Sequence, residues 1–309
     1  MLTRKTVVLA KIESVYGTDP LPTPSADAIA VSDLNLAPAG EMVERNILRG
    51  TLSPARFGMG TRSIEATFRT ELKGSGTRGA LPAWGWEGVL LRACGMAETV
   101  NAGAEIVYMP ASGGFGSCTL YVYRDRLFHK VTGCRGSVKI IVEAGRAVIA
   151  EWKFKGLYDS PADASPLTPV FSAILPPCAA PAGFTINGFE PVAEKLELDL
   201  NNIIAGRKNM TAANGIAGFE ITGRKPQGSF DPEAVVETAH PFWGNWANAA
   251  SLALNLSMGT SDGNRFSIEA PALQYRDFSS EERDGRALYQ VPFSLATDNS
   301  DDELVIRFS

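Results

Sequence analysis

Apolar and polar side chains alternate with period two along most of this chain. Ile64, Ala66, Phe68 and Leu72 interleave with Glu65, Thr67, Arg69 and Glu71, and Val148, Ala150, Trp152 and Phe154 with Glu151, Lys153 and Lys155. Cys118, Leu120 and Val122 repeat the pattern, as do Leu196, Leu198 and Leu200, Leu252, Leu254 and Leu256, and Leu304, Ile306 and Phe308. This alternation predicts antiparallel strands with one covered and one wet face, because strands of a parallel sheet, buried on both sides, read as continuous apolar runs. Only two stretches read as helical. "LPAWGWEGVLLRACGM", Leu81 to Met96, has Trp86, Val89, Leu90 and Ala93 at helical spacing, Pro82 in its first turn and Gly95 as a stop. "EAVVETAHPFWGNWANA", Glu233 to Ala249, is broken by Pro241 and Gly244, which leaves one or two turns after the proline.

The strand and helix signals recur in the same order. E-x-T-x-R occurs at Glu65, Thr67 and Arg69 and again at Glu220, Thr222 and Arg224, while G-R-A occurs at Gly145 and at Gly285, with a Trp-bearing helix between the motifs each time. The shared order predicts a duplication, with about fifteen extra residues in the first copy, placed in the glycine-rich loops "KGSGTRG" and "PASGGFGSC". "YDSPADASPLTP" and "LPPCAAPAG" read as the seam, giving a first unit over residues 1–160 and a second over 161–309. Residues 1–27 pass from "TVVLA" into a proline-punctuated stretch and read as an extended N-terminal arm too short to fold alone.

Composition narrows the function classes. Thirty glycines and 19 prolines suit many short strands joined by turns. A net charge of −5 leaves no excess of Lys and Arg to neutralise phosphates, which argues against tight nucleic-acid binding. Cys94, Cys118, Cys134 and Cys178 lack metal-site spacing and read as free thiols in a reducing compartment. No stretch is long and apolar enough for a membrane span.

Catalytic signals are weak. "GSGTRG", Gly74 to Gly79, fits G-x-G-x-x-G, but the strand before it alternates polar and apolar residues and no βα units follow, so it reads as a flexible surface loop. His129 and His240 have no sequence-local nucleophile or acid, and the carboxylates of "SSEERDG" and "TDNSDDE" lack calcium-loop spacing. No catalytic residue, cofactor or metal is assigned.

The segments "TVVLAKIESVYGTDPLPTPSADAIAVSDLNL", "ARFGMGTRSIEATFRTELKGSG" and "LPAWGWEGVLLRACGM" together resemble the tail tube (major tail) proteins of long-tailed, non-contractile bacteriophages. The resemblance is strongest over about the first hundred residues. It implies a mainly β protein, here two tandem β-sandwich or barrel domains each with a short flanking helix, that acts as a structural subunit of the virion tail and is assembled in the host cytoplasm. It also implies self-association into stacked rings around a tape measure protein, contacts with tail terminator and distal tail proteins, and later passage of DNA. Most such chains supply one tube domain to a six-membered ring; two copies per chain would give a three-chain ring. Long alternating strands with open edges fit this role physically, since a neighbour's sheet can complete them. Val7, Val8, Leu9, Ile12 and Tyr16 of the arm are the residues expected to meet an adjacent ring. The alternative is a tandem carbohydrate- or surface-binding module using Trp84, Trp86, Trp243 and Trp246.

Overall fold

The computed structural model describes residues 2–80, 86–180 and 182–309. The first half contains β1 (Thr6–Ile12), β2 (Ala28–Ile29), β3 (Ser32–Val43), β4 (Gly58–Glu71), α1 (Trp86–Ala93), β5 (Met96–Asn101), β6 (Glu105–Pro110), β7 (Cys118–Arg124), β8 (Leu127–Glu143), β9 (Ile149–Tyr158) and β10 (Ala162–Asp163). The second contains β11 (Ala182–Ile186), β12 (Ala193–Asp199), β13 (Asn202–Lys208), β14 (Ile216–Arg224), β15 (Gln227–Pro232), α2 (Phe242–Ala247), β16 (Leu252–Met258), β17 (Phe266–Tyr275), β18 (Ser279–Arg283), β19 (Arg286–Ala296) and β20 (Val305–Phe308). The fold is mainly β, as the alternation requires, and both helices fall inside the stretches that read as helical.

The halves repeat one strand order. In the first, neighbours run β1, β7, β8, β9, β4, β3, all antiparallel. In the second they run β11, β16, β17, β19, β15, β12, again all antiparallel. α1 follows β4 as α2 follows β15. The G-R-A match is structural, because it is the turn from β8 to β9 and from β18 to β19, with Gly145 and Gly285 at φ 73° and 78°. Side chains with a Cβ rarely adopt that backbone conformation, so glycine is retained at both turns.

The E-x-T-x-R match is not structural. β4 lies beside β9, and Arg69 Nε bonds Glu151 there at 3.2 Å. The strand beside β19 is β15, whereas Glu220 to Arg224 lie in β14, which among the described residues pairs only with β13. The extra residues of the first half are not confined to the two glycine-rich loops: they include the β5–β6 hairpin, which intervenes between α1 and β7 where a short turn joins α2 to β16. β6 pairs with the C-terminal β20, which in turn pairs with β17.

Two features depart from a pair of closed barrels on a string. The sheets are open rather than barrels, with β3 paired on one side only among the described residues. Strands also pair across the seam, since β12 runs beside Lys139–Glu143 of β8 while β9 takes that strand's other edge. One apolar core accordingly contains Phe68, Trp152 and Phe154 from the first half and Phe230, Leu254 and Phe293 from the second. Trp152 stacks with Phe154 and donates its indole N–H to Thr70 Oγ1 at 2.8 Å, so the largest core side chain is fully buried with its polar atom satisfied.

Residues 6–12 are not a free arm. β1 pairs along its whole length with β7, and "VVLA" is covered on both faces, Ala10 by the main core and Val7 and Leu9 by a second cluster with Ala28 and Tyr121. A continuous apolar run is what a strand covered on both sides needs.

Candidate assembly surface

β3 and β4 form a long hairpin whose outer part leaves the body of the molecule. Burial alternates regularly from Ile64 to Thr70 and is lost toward Gly58. Residues 44–57 join the strands, and Leu48 and Leu52 are fully exposed, at 103% and 106%. Met42, Val43, Phe57 and Met59 are exposed around them. Apolar side chains this bare and this close together mark an interaction surface rather than chance exposure. The outer edge of β3 has no strand partner among the described residues, so its backbone polar groups are open to another sheet.

The shorter β13–β14 hairpin braces this projection. Lys208 Nζ meets Glu41 Oε1 at 2.5 Å, the Arg62 N–H donates to Asn214 O at 3.0 Å, and Asn214 Nδ2 donates to Tyr158 O at 2.7 Å. Lys208 holds the Glu41 carboxyl below the usual carboxylate range. Both partners are exposed, so the pair contributes to position more than to stability.

The five arm residues expected at a ring contact have partners inside the chain. Val7, Val8 and Leu9 are buried, with Val8 and Leu9 at 0%. Ile12 is half-buried at the end of β1, opposite Cys118. Tyr16 donates its hydroxyl to Gly133 O at 2.9 Å and accepts the Phe219 N–H at 2.7 Å. Its ring lies beneath the Arg135 guanidinium, 4.8 Å from the centroid, and burial pushes its hydroxyl pKa up. Gly133 and Gly218 make room, because a Cβ at either would come within 3 Å of the phenol. Arg135 then donates to Phe219 O and Phe115 O, which ties β8 to β14 across the seam.

Beneath Tyr16 lies a residue the sequence did not single out. Glu13 is buried and accepts four hydrogen bonds, from the Gly17 N–H and Ser117 hydroxyl on Oε2 and from the Thr119 hydroxyl and Gly133 N–H on Oε1, all at 2.6–2.7 Å. In "KIESVYG" a lone glutamate reads as a solvated residue. Gly17 is local, but the other three donors lie more than a hundred positions away, so the sequence around Glu13 does not show the site.

Candidate chemistry is otherwise sparse. The "GSGTRG" segment is packed rather than a mobile surface loop: the Gly76 N–H donates to Gly263 O at 2.9 Å, and a Cβ at Gly74 would lie 2.0 Å from that same oxygen. Its glycines serve close backbone contact between the two halves. No group of His, Cys, Asp and Glu among the described residues could hold a metal. Cys94, Cys118 and Cys134 are buried free thiols and Cys178 is exposed. Trp84 and the side chain of Trp86 lie outside the described residues, while Trp243 and Trp246 on α2 are 53% and 40% exposed.

His240 is buried against Phe189 and Phe242, with Nε2 at 2.8 Å from the Tyr275 hydroxyl. Burial lowers its pKa below the ordinary 6.5, opposed by Glu237, and burial followed by Arg124 lowers that of His129. The unfolded chain therefore binds protons at these sites more readily than the folded one. Their contribution to stability is complete above about pH 6.5 and is lost as the pH falls below it. Thermal melts at pH 7.5 and 5.5 are expected to show a drop that His240→Gln reduces; an undiminished drop in the variant would clear His240 of that role.

No helix among the described residues is long and apolar enough to cross a membrane. Comparison with curated proteins finds no match. A family model described as phage tail tube protein matches residues 3–294, nearly the whole of this open, mainly β chain: it belongs to the phage tail tube protein family, a family of structural subunits of the virion tail.

Proposed function

We propose that this chain forms the tail tube as rings of three copies, each copy filling two of six quasi-equivalent positions around a channel for DNA. The repeated strand order supports the reading, because two halves with the same order of sheet neighbours are suited to fill two equivalent positions. Three identical copies related by rotation close such a ring with head-to-tail contacts.

In this reading, the exposed apolar tip at residues 44–57 supplies contact between stacked rings, because Val7, Val8 and Leu9 are already covered within the chain. A tape measure protein occupies the lumen during assembly in the host cytoplasm, and tail terminator and distal tail proteins meet the tube ends. The net charge of −5 suits a conduit that DNA traverses without sticking. Negative-stain microscopy of the concentrated protein is expected to show hollow rings or tubes. Dispersed single copies under every condition, including with tail extracts, would contradict the reading.

A further inference from the structure

Within one chain, the two halves are joined by a β-ladder that the chain does not complete at its far ends. β12, last in the second half's strand order, pairs antiparallel with the end of β8: Lys195 with Glu143, Leu196 with Val142, Glu197 with Ile141, Leu198 with Ile140 and Asp199 with Lys139. The strand in β12's position in the first half is β3, and its outer edge is open. The segment in the position of β8's end is β18, which also runs into a G-R-A turn and, among the described residues, pairs with β19 alone. The chain thus carries one made joint and the two unmade halves of a second.

We propose that β3 of one copy pairs antiparallel with β18 of the next, in the register of the internal β12–β8 joint. The proposal deepens the ring reading and rests on it. The register follows from alignment of the halves. Leu34 and Leu36 stand where Leu196 and Leu198 stand, since Leu36 faces Ala66 on β4, two residues before Phe68, as Leu198 faces Gly228 on β15, two before Phe230. Phe68 and Phe230 are themselves equivalent, each opposite a buried residue of the arm beyond the G-R-A turn, Trp152 and Val291. Counting back from Gly145 and Gly285 sets Glu143 against Arg283 and Ile141 against Glu281. Across the new joint Asp33 therefore faces Arg283, the oppositely signed version of Lys195 facing Glu143, and Asn35 faces Glu281.

Three further observations fit this joint. β3 and β12 each carry an irregularity near the same point, between Ser32 and Asn35 and between Ala193 and Leu196, one residue apart in this alignment. Ser279 to Glu282 are exposed, as an open edge requires. The internal joint is closed by Asn202, whose Nδ2 donates at 2.6 Å to Cys94 O just beyond α1. In the second half the corresponding helix, α2, presents the exposed Trp243 and Trp246 beside β18, with Trp246 Nε1 bonded to Asp277. One bond of the internal ladder has no copy: the Leu200 N–H donates to Val138 O, and the residue in its place is Pro38, so the new ladder stops at Ala37.

The test uses the full chain with Cys178→Ser and both Asn35→Cys and Glu281→Cys, joined by a short bis-maleimide, since facing Cβ atoms lie about 5 Å apart. Reducing denaturing gels are expected to show a ladder ending at a covalent trimer, absent from either single variant and from Glu41→Cys with Glu281→Cys. Rings without that ladder, or an equal ladder from the Glu41 pair, would overturn the pairing and leave the ring reading standing. Single copies of the unmodified chain in every condition would remove both. Should the cysteine variants fail to assemble, hydrogen exchange on unmodified tubes decides: slowed exchange at Ser279–Arg283 on assembly supports the joint, and unchanged exchange there refutes it.

Discussion

Replacing residues 44–57 with a short glycine-containing turn is expected to abolish tube growth and leave the chain folded. The segment's hydrogen bonds are internal, such as the Ser53 N–H to Thr51 Oγ1, so its removal takes nothing from the core. What it removes is Leu48, Leu52 and Phe57, each exposed in the single chain. Burying an apolar side chain of this size contributes about 2 kcal/mol, so losing three costs each contact about 6 kcal/mol before any compensation. A factor of ten accompanies each 1.4 kcal/mol, and the critical concentration for growth therefore rises by about four orders of magnitude. Sedimentation of assembled material, with a thermal melt as the control for folding, checks this. Tubes of normal yield from the shortened chain would remove the tip from the stacking contact.

Glu13→Ala is expected to have the largest effect on the fold itself. It strands the N–H groups of Gly17 and Gly133 and the hydroxyls of Ser117 and Thr119, which all converge on this carboxylate. Buried donors without partners cost about 1–3 kcal/mol each; with the hydroxyls free to rotate elsewhere, a net loss of about 4 kcal/mol is expected. Glu13→Gln keeps an acceptor oxygen but turns an amide donor toward two other donors, so it is expected to lose about half as much. Denaturant unfolding of the three proteins gives the order. An alanine variant within about 1 kcal/mol of the parent would mean that water satisfies these groups and that the site carries little stability.

Much of the architecture was legible because a half-buried strand writes itself as alternation. "IEATFRTEL" and "VIAEWKFK" named their covered faces without knowledge of their partners. The repeated strand order is signalled by G-R-A, where backbone geometry demands glycine, whereas E-x-T-x-R misleads, since its alternating letters suit any exposed strand face. "GSGTRG" reads as mobile for want of side chains, yet that same lack lets Gly263 approach its backbone. The apolar run "VVLA" reads as an unpaired arm because the Tyr121 and Ala28 that cover it are distant or weakly patterned. Open edges were foreseeable in kind but not in place. That the outer edge of β12 is occupied, while those of β3 and β18 have no partner among the described residues, depends on pairings set by residues distant in the chain.

The central claim is that one chain supplies two positions of the ring, and counting chains tests it most directly. Native mass spectrometry of isolated rings is predicted to give three times the 33.0 kDa chain. A ring of six chains would contradict it, because each chain would then fill a single position and the second sheet would lie outside the wall.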